Sequence, residues 1–229
     1  MRVSIRPTRT CRSSAKLLKV PLHFQADGSV DCGPTCVQMM LDYYGIKRTL
    51  PDLAAHLNYS KMGTSSFDNG TLFLSEGFSV TAVTANPLLF PADEIRSLSD
   101  HASLLLRLNQ IEQKRPQWAD NFATLRRYIE KGGVMKLEIP AFRHIKTSID
   151  AGNPLLALTY GQALGRNQGG FHFMVVNGYK RGQVYLTNPL RQARQGWFPL
   201  DRFLYAVHAS SVGDPDNGSL IIPSRTSTT

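Results

Sequence analysis

The chain changes its hydrophobic rhythm at Gly133. Ahead of that point apolar residues recur at spacings of three and four. They do so at positions 36, 37, 40, 41 and 44, and again over 92–115 and 118–131, two stretches that Pro116 separates. Beyond it, short apolar blocks at 134–139, 154–160, 171–179, 183–188 and 219–222 read as strands, with one helix at 142–151 stopped by Gly152. A strand at 78–84, a short helix at 50–57 opened by Pro51 and a polar loop at 62–69 complete the N-terminal half. Helices first and antiparallel strands last predict an α+β domain, an N-terminal helical part packed on a C-terminal antiparallel sheet, with a cleft where the parts meet. The Gly- and Asn-rich loop 162–170 runs directly into His172 and borders that cleft.

With 229 residues, 42% of them hydrophobic, the chain can bury one substantial core. The expected organisation is a basic flexible tail over 1–20, a single domain over 21–222 with a helical insertion at 92–131, and a disordered tail at 223–229. No uninterrupted apolar run approaches ~18 residues, which excludes a membrane-spanning helix. The basic N-terminus has no apolar central block, so it does not read as a secretory signal; cytoplasmic synthesis is expected, with any export left to a specialised secretion system. Three cysteines, one of them Cys11 in the tail, cannot form a disulfide framework. The +9 charge is scattered and lacks a binding motif with interleaved aromatics, which argues against nucleic acid. Neither zinc-ligand spacing nor a phosphate-cradling glycine loop occurs, so no cofactor or metal is expected.

Chemistry concentrates at two places. In Asp31-Cys32-Gly33-Pro34-Thr35 a cysteine opens the helix that ends before Gly45; Pro34 suits a first-turn position, and a helix N-terminus predicts a lowered thiol pKa. Gly33 permits close backbone approach, and Gln25, seven residues upstream of Cys32, can donate its amide N–H to an oxyanion together with the Cys32 N–H. The second place is a hairpin. His172 and Asn188 are equidistant from Lys180, so a loop centred there sets them opposite each other on one face, where an Asn carbonyl can hold a histidine tautomer beside a thiol. A register slip of one residue would send Asn188 to the other face. Bland readings stand beside these: Cys36 as core, Gln25 as a polar loop residue, Asn188 as a turn-former before Pro189, and His56, His101, His144 and His208 as structural. His23, close to Gln25, is a reserve base.

The segments Asp31-Cys32-Gly33-Pro34-Thr35-Cys36, Tyr43-Tyr44-Gly45, Phe171 to Tyr179 and Asn188-Pro189 together resemble the bacteriocin-processing cysteine peptidases, whose fold is papain-like and whose best-known members cut after a double-glycine leader. The resemblance implies Cys32 as nucleophile, His172 as general base and acid, Asn188 as orienting residue and Gln25 as oxyanion donor, acting on a peptide or protein substrate. Two departures stand out: the family more often has Asp at the position of Asn188, and its glutamine more often precedes the cysteine by six residues where Gln25 precedes Cys32 by seven. No transporter or ATPase domains follow in the chain, so the expected role is a stand-alone leader peptidase or a secreted effector, with an immunity or chaperone protein as a further partner. The same thiol chemistry also serves amidases, deamidases and acyltransferases, and an inactive leader-binding module is the non-enzymatic alternative.

Overall fold

The apolar blocks assemble into one eight-stranded sheet in the computed structural model, which describes residues 15–57, 63–86, 89, 100–165, 170–211 and 218–225. In chain order the elements are β1 (Lys16–Leu17), α1 (Cys32–Tyr43), α2 (Leu50–Ala54), α3 (Ser66–Ser75), β2 (Phe78–Thr84), α4 (His101–Lys114), α5 (Ala119–Glu130), β3 (Val134–Leu137), α6 (Phe142–Asp150), β4 (Leu155–Tyr160), β5 (Phe171–Lys180), β6 (Gln183–Thr187), β7 (Gly196–Pro199), α7 (Leu200–Ala209) and β8 (Ser219–Arg225). The strand order is β3-β2-β8-β4-β5-β6-β7. All pairings are antiparallel except that of β2 with β3. β4 lies along Phe171–Val176 of β5, and β1 then takes the next places, against Gly178 and Tyr179.

Successive strand residues point to opposite faces, and this alternation divides the core in two. Leu156, Leu158, Phe173 and Val175 join Cys36, Val37 and Met40 of α1 and the buried faces of α3, α4 and α5. Leu155, Ala157, Met174 and Val176 join Ile145 and Ile149 of α6 and Phe203, Ala206 and Val207 of α7. Helices therefore cover both faces of the sheet, and β5 is buried on each side. Complete burial of one such side chain contributes about 1.5–3 kcal/mol, so β5 is among the strands hardest to displace. Among the described residues no helix is long and apolar enough to cross a membrane.

Several predicted boundaries move. The tail 1–20 is not loose to its end: Lys16 and Leu17 pair with β5, and Leu18, 8% exposed, donates its N–H to the carbonyl of Asn177 at 2.8 Å. Strand β8 likewise runs past 222, with Pro223, Ser224 and Arg225 opposite Val80, Ser79 and Phe78. The predicted loop 62–69 gives way at Ser66 to α3, because Ser65 and Asp68 form a capping box that satisfies the first-turn N–H groups. Of the predicted insertion, α4 begins at His101, and 90–99 lie outside the described residues, as do 166–169 of the loop before His172 and 226–229 of the C-terminal tail. The α4–α5 pair buries Leu104, Leu108, Phe122, Leu125 and Tyr128 in the α1-side cluster.

Candidate active site

Asp31 occupies the N-cap of α1 but its side chain makes no capping hydrogen bond, so it does not cap the N–H groups of the first turn. Cys32, half-buried, is the first helical residue. Burial pushes its thiol above the ordinary value, and the backbone N–H groups of Phe173, Gly33 and Cys32 itself pull against that rise without cancelling it. This reverses the lowered pKa expected of a helix N-terminus: the desolvation of a closed site outweighs the partial charge of the helix end. The resting sulfur is a thiol and needs a base. Cys36, one turn on, is fully buried and donates its S–H to the carbonyl of Phe173 at 3.4 Å.

Gly33 meets protein at close range. A Cβ there would sit 2.5 Å from both Asn69 Nδ2 and Thr64 Oγ1. Asn69 is fully buried and donates to Thr64 Oγ1 at 2.9 Å and to the carbonyl of Ser65 at 2.8 Å, bonds that hold its side chain at the start of α3 where Gly33 of α1 passes. Asn69 and Thr64 fall in the stretch read as a loop, where no local signal marks them.

The hairpin reaches the predicted pairing by a different route. Its turn is Arg181–Gly182, between the paired residues Lys180 and Gln183, with Gly182 at φ 65°. Carried along unchanged, that register would put Asn188 opposite Val175, on the wrong face. The register shifts between Val176 and Gly178, so that Val176 faces Leu186 and Val175 faces Thr187. Asn177 is the extra residue of this bulge, and the single-residue offset returns Asn188 to the face of His172. The two are diagonal rather than directly opposite. Asn177 is held in place by its Nδ2–H to the carbonyl of Leu18 at 2.9 Å and by the hydroxyl of Thr187 on its Oδ1 at 3.1 Å.

His172 and Asn188 are 4% and 0% exposed, and Nε2 of the ring lies 2.8 Å from Asn188 Oδ1. The same Oδ1 receives the backbone N–H of Leu190 at 2.9 Å. A backbone N–H can only donate, so the atom it meets must be the amide oxygen; the ring nitrogen meeting that oxygen must then carry a proton. The proton is therefore on Nε2, and Nδ1 is left with its lone pair. Burial lowers the His172 pKa to about 4, against the opposing effect of the Asn188 bond, so the ring is neutral at physiological pH. The Cys32 sulfur rests on the N–H of Phe173, the residue next to His172.

Gln25 is buried at 8% exposure, and its backbone N–H donates to the carbonyl of Pro189 at 3.0 Å, beside Asn188. Its Nε2 donates to the carbonyl of Ser29 at 2.8 Å, and its Oε1 has no hydrogen-bond partner among the described residues. The longer spacing to Cys32 is taken up by a turn over 26–29, closed by the Ser29 N–H on the Ala26 carbonyl at 3.1 Å with Gly28 at φ 74°. His23 is engaged elsewhere. It bonds Asp42 at 3.0 Å, ten residues along α1 from Cys32 and so ~15 Å away along the axis. His144 accepts the Ala141 N–H and bonds Glu138 at 3.0 Å, a structural role.

The Peptidase_C39-like family model matches residues 17–204, a span that contains Cys32, Gln25, His172 and Asn188. Among solved structures, a C39-like peptidase from Bacillus anthracis superposes with a TM-score of 0.56 at 15% identity, covering 94% of this chain and 100% of that one. A double-glycine-motif protease from an AMS/PCAT transporter, solved with its leader peptide, matches at a TM-score of 0.49 and 15% identity over 92% and 95% of the two chains. The peptidase domain of Streptococcus ComA, a bifunctional ABC transporter of quorum sensing, matches at 0.48 and 15% over 90% and 98%. A search of curated proteins finds no match. With the fold shared and more than three quarters of its length matched, the chain belongs to the Peptidase_C39-like family of cysteine peptidases.

Proposed function

We propose that this protein hydrolyses peptide bonds with Cys32 as nucleophile, His172 as general base and acid, and Asn188 as the residue that orients the ring. The observation that carries the reading is the shared Asn188 oxygen. By accepting from both Leu190 and Nε2 it leaves Nδ1 unprotonated, the form required to take a proton from a thiol. Both partners are disfavoured as lone charges in this buried site, so the thiolate and imidazolium form together and stabilise each other as the proton passes from sulfur to Nδ1. The thiolate adds to the substrate carbonyl carbon, and the oxygen takes up the electron pair. The Cys32 N–H and the second Nε2–H of Gln25 are the donors in this account of the oxyanion. The intermediate collapses, His172 protonates the leaving amine, and a thioester remains. Water, deprotonated by the same nitrogen, then releases the acid and the free thiol.

The substrate side of the reading rests on the motif resemblance: small residues, Gly-Gly among them, before the scissile bond, as in a leader peptidase acting on its own. Incubation with a Gly-Gly-containing peptide followed by mass measurement tests it. Cleavage divides the mass between two products, whereas deamidation adds about one mass unit to an intact chain. Cys32→Ala with full cleavage retained would remove the nucleophile assignment.

A further inference from the structure

Asn188 lies at a point where the sheet stops providing partners. The ladder of β5 with β6 ends at Val175 opposite Thr187, and that of β6 with β7 ends at Leu186 opposite Gly196. Pro189, which follows, has no N–H to extend either one. Yet Asn188 is fully buried, so its own peptide groups require partners. A side chain supplies them. Gln195 Oε1 accepts the Asn188 N–H at 2.7 Å, and Gln195 Nε2 donates to the Asn188 carbonyl at 2.6 Å. The amide reproduces the donor and acceptor of a paired strand residue. Gln195 immediately precedes Gly196, whose φ of 112° leads the chain into β7, and it borders a cavity of about 190 Å³ between residues 17–22 and β6 that does not reach Cys32 or His172.

We infer that Gln195 is a positioning residue for catalysis: by clamping both peptide groups of Asn188 it fixes the direction in which Oδ1 faces His172. The inference rests on the proposed roles of Cys32, His172 and Asn188. The clamp fixes the backbone from which the Asn188 amide projects by a single methylene, while the Leu190 N–H holds Oδ1 at the far end. Rotation of Asn188 frees the Nε2 proton to move to Nδ1, the tautomer that cannot accept from a thiol. Misplacement of a reacting group by an ångström costs on the order of 100-fold in rate.

The near-isosteric Gln195→Glu provides the test, because protonation restores the clamp. The carboxylate keeps an acceptor for the Asn188 N–H but sets a second acceptor against the Asn188 carbonyl; the carboxylic acid supplies the missing donor. Compared with the wild type at each pH, kcat of the variant is expected to be lower on the order of 100-fold near pH ~8 with KM unchanged. The deficit is expected to close to within about 3-fold as the pH falls towards ~5, where an acid beside a carbonyl is protonated more readily than at its ordinary value. A deficit equal at every pH, or one confined to KM, overturns the proposal. Gln195→Ala in a Cys32→Ala background adds an independent reading by ¹⁵N NMR of His172: a single Nε2–H tautomer with Gln195 present, and a tautomer mixture without it. An unchanged single tautomer also overturns it. Full activity of Cys32→Ala alone would instead overturn the peptidase assignment on which the inference stands, and so the two failures are distinguishable.

Discussion

Asn188→Asp replaces the carbonyl that faces His172 with a carboxylate of nearly the same shape, leaving the Leu190 N–H as its second donor. At the 2.8 Å separation of Oδ1 and Nε2, attraction between a carboxylate and an imidazolium amounts to roughly 6 kcal/mol at an effective dielectric constant of about 20. Much of that is offset by desolvation of the new charge, since the site is fully buried; a close opposite charge raises such a group by about 1–3 pKa units net. His172 starts at about 4 in the present protein. The variant ring should therefore titrate between ~5 and ~7. The measurement is an NMR pH titration of the His172 Cε1–H in the Cys32→Ala background, with and without Asn188→Asp. An unchanged midpoint would refute the reasoning, since it would mean that residue 188 does not face the ring in solution.

The same pair makes stability depend on pH. His172 titrates at about 4 when folded against 6.5 as the ordinary value, so the unfolded chain binds the extra proton first. The contribution is fully present above pH ~6.5 and is lost progressively as pH falls to ~4, on the order of 3 kcal/mol in all. Urea denaturation at a series of pH values should show that slope, and Asn188→Asp should flatten it. Gly33→Ala forces a methyl against Asn69 and Thr64 and should cost about 1–3 kcal/mol in the same assay; Asn69→Ala in the same chain should recover part of that loss, whereas additive losses would contradict the contact. Asp68→Ala removes the ion pair with Arg127 together with the α3 capping box, and should lower stability by about 3 kcal/mol. Cys36→Ala should leave the rate of Cys32 alkylation and of peptide cleavage within about 3-fold of the wild type, at a stability cost of about 1–2 kcal/mol.

What the sequence made legible follows from how local each signal is. The α1 start was readable because Pro34, Gly45 and the three-four apolar spacing are all local. The pairing of His172 with Asn188 was readable as a shared face, but the geometry was not: the turn is centred between Arg181 and Gly182 rather than on Lys180, and the bulge at Asn177 corrects the parity. A bulge depends on what grips it, here Leu18 and Thr187, and Leu18 is 159 residues away. Local patterns likewise hide Asn69 behind Gly33 and leave Gln195, a glutamine in a basic loop, with no mark of its clamp on Asn188. The sign of the Cys32 shift was beyond local reading as well, since a helix end is visible in sequence and the burial that outweighs it is not. Strand β7 has four residues between Gln195 and Leu200, too short for alternation to show.

The most direct test is to trap the acyl-enzyme. The protein is mixed with an activated Gly-Gly ester, quenched in acid within one turnover, and the modified residue is located by peptide fragmentation, which separates Cys32 from its neighbour Cys36. A glycyl-glycyl thioester on Cys32 is expected to accumulate in the wild type and to form on the order of 100-fold or more slowly after His172→Ala. Acylation at Cys36, or acylation of Cys32 at the wild-type rate without His172, would contradict that expectation.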